Sequence, residues 1–213
     1  MMLDFSDILD DWEVPPIDVS PIPEVAPRNP AAVDLFAEKK RKKWHALSVD
    51  EARCDMKPCI RLTKRGVFFI TVWKKSLFGR TLKELKADHD MVPVFANAIV
   101  PVIQGVLGNR LSPDDFAVVC APRRRHLDWN FGHASAAAVA GALGIPFFAD
   151  CCTARSKMRV GAVFDPANVP TQKNLIVYDD IVTTGQTLVS MSNLFQGKLG
   201  KNCIFFANIN NKL

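Results

Sequence analysis

No run in this 213-residue sequence approaches the roughly 20 uninterrupted apolar residues that a membrane-spanning helix needs. Its opening, MMLDFSDILDDWEV, is acidic where a secretory signal would be basic and then apolar. These absences argue against a membrane partner and give a cytoplasmic protein as the expectation. Cysteine is present at positions 54, 59, 120, 151, 152 and 203. Cys54 and Cys59 have a spacing that zinc tolerates, but no second Cys/His pair stands at ligand spacing nearby, and a chain with its own core and no export signal is expected to keep its thiols reduced.

What is present is enough for one domain with an appendage: 48% of the residues are hydrophobic. The net charge of +5 hides an asymmetry. Residues 1–30 hold seven acids against one base, so that segment carries −6 and the rest of the chain +11. A basic body suits a phosphate-rich ligand or nucleic acid. Prolines at 15, 16, 21, 23, 27 and 30 deny the acidic segment regular structure, which makes 1–30 an extended arm and 31–213 the folded domain. Within the arm, Phe5, Ile8, Leu9 and Trp12 lie at helical spacing among acids, a pattern that fits docking on a partner or on the basic body, and equally a solvated tail.

Along the domain, AAVDLFAEKKRKKWHAL reads as a helix with five bases at 39–43, either a solvated face or a nucleic-acid contact. CIRLTKRGVFFITVW reads as a hairpin turning at Lys64-Arg65-Gly66. Apolar residues from Leu82 to Leu107 recur with helical period, with a break expected near Pro93 and an end at Gly108. Beyond it, FAVVCAP, IPFFAD, NLIVYDD and CIFFANI read as short apolar strands, alternating with the helical stretches ASAAAVAGALG and TLVSMSNLFQGKLG. Such alternation implies an α/β fold with a central parallel sheet flanked by helices. Ligands then bind at the carboxyl ends of the strands, where Pro122–His126 and Asp179–Thr187 fall.

The second of these loops carries the chemistry. In NLIVYDDIVTTGQTL a buried strand ends in two carboxylates, then turns through Thr183-Thr184-Gly185 into a helix near Thr187. Free N–H groups and hydroxyls at the positive end of a helix suit a phosphate. Asp179 and Asp180 would repel that phosphate, but they can accept hydrogen bonds from a vicinal diol or hold Mg²⁺ through its waters. A ribose 5-phosphate meets both requirements.

With these residues in view, LIVYDDIVTTGQTL resembles the phosphoribosyl-pyrophosphate signature of the type I phosphoribosyltransferases. The resemblance implies that fold, Mg²⁺ as cofactor, and phosphoribosyl pyrophosphate or a nucleotide as ligand. It implies that Asp179 and Asp180 bind the ribose hydroxyls and serve as the catalytic residues, with the metal reached through water. Ile181, Val182, Thr183, Thr184, Gly185, Gln186 and Thr187 would complete the ribose 5-phosphate site; Gln186 stands where many members carry a small residue. APRRRHLDWNFGHASAAAVAGALGIP is similar to the competence-associated ComF branch, although DWNFGHA replaces that branch's Arg-Gly-Phe-Asn-Gln element and its N-terminal cysteine pairs are absent. By the same resemblance Arg123, Arg124 and Arg125 form the pyrophosphate loop. Lys157 and Arg159 belong to a hood over the reacting centre, and dimers are the family's common assembly.

Transfer from phosphoribosyl pyrophosphate requires cations and oriented N–H donors on the departing pyrophosphate. No general base stands out beyond the aspartates, and His133 reads as structural. Phe205, Phe206 and Trp129 are candidates for an acceptor hood and equally good core residues. Two function classes follow: an enzyme that transfers the phosphoribosyl group to an acceptor the sequence does not name, and a ligand-binding or DNA-processing accessory protein whose basic stretches at 39–43, 64–65, 74–75 and 123–125 and acidic arm meet nucleic acid or protein.

Overall fold

The computed structural model describes residues 52–123, 129–155 and 163–211. The acidic arm, the basic stretch at 39–43, Arg124, Arg125, Lys157 and Arg159 lie outside the described residues. In chain order the elements are β1 (Arg53–Cys54), β2 (Arg61–Arg65), β3 (Val67–Lys74), β4 (Arg80–Thr81), α1 (Leu82–Ala87), α2 (Met91–Leu107), β5 (Phe116–Cys120), α3 (Phe131–Leu143), β6 (Phe147–Phe148), β7 (Cys152–Ala154), β8 (Phe164–Pro166), β9 (Asn174–Val182), α4 (Gln186–Ser192), a π-helical continuation (Asn193–Lys198) and β10 (Asn202–Asn210).

Six strands form one sheet in the order β2-β3-β10-β9-β5-β6. Five of them run parallel, and β2 joins as an antiparallel edge through the hairpin at Gly66. This is the α/β architecture that the alternating pattern implies. Strands β5 and β9 are almost wholly buried, which explains why they read as continuous apolar runs rather than as alternating ones. On one face, α1, α2 and α3 pack over Val72, Val118, Ile176, Tyr178 and Phe206. On the other, α4 and its continuation cover Phe69, Val119, Val177, Phe205 and Ala207, together with the β7–β8 hairpin. Phe205 and Phe206 are therefore core residues of opposite faces, not hood residues.

The long helical stretch does come in two pieces, but the break is at Asp88–Asp90 and not near Pro93. Pro93 occupies the first turn of α2, where a backbone N–H has no intrahelical partner to lose. Thr81 and Glu84 close a reciprocal capping box that fixes the start of α1. In α2 the row Met91, Phe95, Ile99, Ile103 and Leu107, spaced by four, is buried, whereas Val94 and Val106 face outward. By length and composition Met91–Arg110 could cross a membrane; in the fold it is a core helix lying on β3 and β10.

A buried polar bridge pins that helix. Asn208 on β10 accepts a hydrogen bond from the Tyr178 hydroxyl at 2.6 Å and donates its amide to the Phe95 carbonyl at 2.8 Å. Asn208→Ala removes the Tyr178 hydroxyl's acceptor in a fully buried site, so it is expected to destabilise the domain by about 2 kcal/mol. Thermal unfolding of the variant against wild type measures this, and an unchanged midpoint would show that the bridge contributes nothing.

Candidate functional site

Strand β9 runs two residues past the carboxylates before it ends, so Asp179 and Asp180 are strand residues, not loop residues. Both line a cavity of about 480 Å³ at the carboxyl end of the sheet. Its walls come from α1 (Lys83, Lys86), the end of β5 (Cys120 to Pro122) and the start of α3 (Trp129 to His133). A volume of this size suits a small organic ligand.

The two acids are treated differently. Asp180 is buried at 6% exposure, and its Oδ2 sits 2.7 Å from Lys86 Nζ. Its Oδ1 accepts the Ile181 N–H at 3.0 Å. Gly132 lets the first turn of α3 come close: a Cβ there would meet Asn130 Oδ1 at 3.3 Å and Asp180 Oδ1 at 3.6 Å. Asp179 is half-buried, and desolvation, reinforced by the charge of Asp180, pushes its carboxyl up to about 8. Two adjacent carboxylates in a poorly solvated site do not both ionise readily.

Past the acids the chain turns sharply. Ile181 and Val182 are buried and belong to opposite faces of the core, so they can meet a ligand only with backbone atoms. Gly185 takes φ +82°, and a Cβ would lie 3.0 Å from Arg65 Cβ and 3.2 Å from its carbonyl oxygen, which accounts for glycine here. No side chain caps α4, although the Gln186 N–H reaches Thr184 Oγ1 at 3.4 Å. Thr184 and Gln186 are exposed and Thr187 is half-buried. The outward Gln186 side chain is compatible with a ligand held by the loop backbone.

Arg65, noticed in the sequence only as part of a basic turn, braces this loop. Its Nη1 donates to the Thr183 carbonyl and its Nη2 to Asn210 Oδ1 at 2.6 Å. A carbonyl held by a guanidinium behind the loop is turned away from any anion in front of it.

The other predicted residues divide. Arg123 makes an exposed ion pair with Asp150 at 3.0 Å. On either side of residues 156–162, β7 and β8 pair antiparallel, and Arg155 forms an ion pair with Asp165 at 2.6 Å. His133 donates from Nε2 to the Ala121 carbonyl at 2.9 Å, and burial lowers its proton affinity, so it acts as a neutral brace for the β5 loop. Burial holds the Cys120 thiol well above its usual range, so it supplies no thiolate. All six cysteines are free. Trp129 does both: it packs half-buried against the core beside Phe131 and lines the cavity, stacked on His89 with ring centroids 4.0 Å apart and planes 3° from parallel.

Lys83, Lys86 and Arg65 are the site residues that sequence reasoning missed. A lysine spacing along an exposed helix face gives no signal of an aspartate on a distant strand, but the basic turn ahead of Gly66 could have been matched to the Thr-Thr-Gly turn.

No protein-family model and no curated protein sequence matches the chain. Among solved structures it is similar to an adenine phosphoribosyltransferase (16% identity, 71% of this chain and 84% of that one, TM-score 0.43). It is also similar to the Helicobacter pylori xanthine-guanine-hypoxanthine phosphoribosyltransferase (16%, 58% and 84%, TM-score 0.41) and to the orotate phosphoribosyltransferase of Aeropyrum pernix (16%, 80% and 78%, TM-score 0.38).

The raised proton affinity of Asp179 has a stability consequence with a definite sign. A carboxyl that binds its proton more tightly folded than unfolded supports folding below its unfolded value near 3.8, and that support is lost as pH rises toward about 8. Asp179→Asn should therefore gain thermal stability over wild type at pH 8 to 9 and lose that advantage as pH falls toward 4. Unfolding midpoints at the two pH values test this; a pH-independent difference would contradict it.

Proposed function

We propose that this chain is a type I phosphoribosyltransferase that binds phosphoribosyl pyrophosphate and transfers its phosphoribosyl group to an acceptor. The observation that carries the proposal is the path of one strand. β9 sets two carboxylates on a ligand-sized cavity and then passes through a positive-φ glycine into an uncapped helix. The 5-phosphate is assigned to the N–H groups and hydroxyls of Thr183 to Thr187, and the ribose 2- and 3-hydroxyls to Asp179 and Asp180.

The residues fit a hydrated Mg²⁺ shared with the ligand. Among the described residues no group of three or more Asp, Glu, His or Cys forms a closed protein cage, and two carboxylates with room beside them suit a metal that keeps its waters. When bound, Mg²⁺ would neutralise charge on the departing pyrophosphate. Arg123 can join it by leaving Asp150, since an exposed ion pair costs little to break. Asp179 is the candidate general base in this scheme, in the ionised form that a Mg²⁺ beside it would favour, taking a proton from the acceptor as the glycosidic bond forms. Trp129, with His89 behind it, offers a face for a planar acceptor. The ComF-like affiliation is the finer part of the proposal; its support is the sequence of the β5 loop and of α3.

Calorimetric titration of phosphoribosyl pyrophosphate with magnesium tests the reading. Wild type should bind, and a variant carrying Asp179→Asn and Asp180→Asn should bind at least about tenfold more weakly, as loss of charged hydrogen-bond partners predicts. Absence of binding by the wild type would remove the proposal. Binding followed by a screen of planar acceptors for pyrophosphate release then separates turnover from ligand sensing.

A further inference from the structure

The cavity contains a cation that no part of the nucleotide-binding signature accounts for. Lys86 comes from the last turn of α1, a helix outside the strand-loop-helix unit that holds the phosphate, and its ammonium lies 2.7 Å from Asp180 Oδ2. Asp180 is buried, with 8% of its side chain exposed, whereas 44% of the Lys86 side chain is exposed. The carboxylate is thus held at the strand end, where its Oδ1 also accepts the Ile181 N–H, and the lysine is the more exposed partner of the pair. α1 itself is short, anchored by Leu82 and Leu85 and detached from α2 by the break at Asp88–Asp90. A lysine on such a helix can withdraw without disturbing the sheet.

We propose that Lys86 is a resident counter-cation of the carboxylate pair: it occupies the place on Asp180 that a hydrated divalent cation or a ribose hydroxyl would take, and the pair accepts a divalent cation only when Lys86 withdraws. This rests on the phosphoribosyl reading of the site. The reasoning is electrostatic. An ammonium 2.7 Å from Asp180 Oδ2 and a divalent cation at the same carboxylate repel each other, so each weakens the binding of the other. Without a cation, two adjacent carboxylates at a buried strand end would repel each other, and Lys86 relieves that repulsion in the unliganded chain. The free protein therefore holds metal weakly, and the cation enters together with a ligand whose own oxygens complete its shell and whose anionic groups give Lys86 somewhere to go. Lys86 is a positioning residue in this scheme, acting on the metal through Asp180.

The test uses Mn²⁺ alone, with free Mn²⁺ followed by electron paramagnetic resonance, on the full chain without organic ligand. Lys86→Gln removes the charge but keeps a hydrogen-bond donor for Asp180, and it should bind Mn²⁺ about tenfold or more tightly than wild type, the scale of a unit charge beside a carboxylate site. Lys86→Arg should behave as wild type, and adding Asp180→Asn to Lys86→Gln should abolish the gain. A lysine that merely supported the fold would leave Mn²⁺ affinity unmoved. Equal affinity in wild type and Lys86→Gln, or no detectable binding in either, overturns the proposal. Should Lys86→Gln not fold, the wild-type chain decides: the side-chain ammonium resonance of Lys86, assigned by its loss in Lys86→Arg, should shift as magnesium is raised, and a fixed resonance is equally fatal. Failure of the phosphoribosyl reading is a separate result, since it shows as absent phosphoribosyl pyrophosphate binding whatever Mn²⁺ does.

Discussion

Two carboxylates placed side by side at the end of a buried strand set the terms for everything around them. The core needs β9 to be apolar and continuous, and the site needs charge at its end, so the transition from one to the other happens within a single residue, between Tyr178 and Asp179. Three features answer the resulting electrostatic problem. Lys86 brings a cation to Asp180, Gly132 gives up its side chain so that the positive end of α3 can approach, and Asp179 takes up a proton more readily. The break between α1 and α2 belongs to the same solution, because one continuous helix from Leu82 to Leu107 could not both bury the α2 stripe and aim Lys86 at the strand end.

The loop from Thr183 to Thr187 is braced from the β2 edge of the sheet. Arg65 stands at the end of the edge strand β2, and it reaches across β3 and β10 to hold the Thr183 carbonyl and Asn210. Gly66 then turns the hairpin with φ +76°, where a Cβ would collide with Val189 Cγ2 at 2.5 Å. Two glycines, Gly66 and Gly185, therefore let the hairpin and the loop-helix junction pack directly on each other. The antiparallel edge strand is more than an extension of the sheet; it is the support on which the loop conformation rests.

These contacts explain what could be read from the sequence and what could not. The strands β5, β9 and β10 and the loop after β9 were legible because their signals are local: an apolar run of strand length, paired acids, a Thr-Thr-Gly turn. The helix α3 was legible from its small residues and Gly144, although its start at Phe131, capped by Asn130, lies three residues before the expected one. The break falls at Asp88–Asp90 and not near Pro93, because proline at the first turn of a helix breaks nothing. Lys86 was illegible for a different reason. Its role is a long-range pairing, and an exposed lysine on a short helix beside an exposed glutamate looks the same wherever it occurs. Trp129 reads as core or site alike because it serves both.

The distribution of the site over the fold bears on what can vary within it. The elements that would hold a phosphorylated ribose are all supplied by β9, its loop and α4, a contiguous unit fixed by the core on one side and by Arg65 on the other. The elements that would meet an acceptor, Lys83 on α1 and Trp129 beside α3, come from segments outside the sheet. Changes in the first group disturb folding and ligand together, since Ile181, Val182 and Gly185 are buried. Changes in the second group alter a cavity wall while the strand end stays in place. Specificity is therefore free to drift on α1 and at the start of α3 while the carboxylate pair is retained. On the proposed reading, that separation would let a motif on one strand signal the ligand class while the acceptor is selected by residues that carry no motif at all.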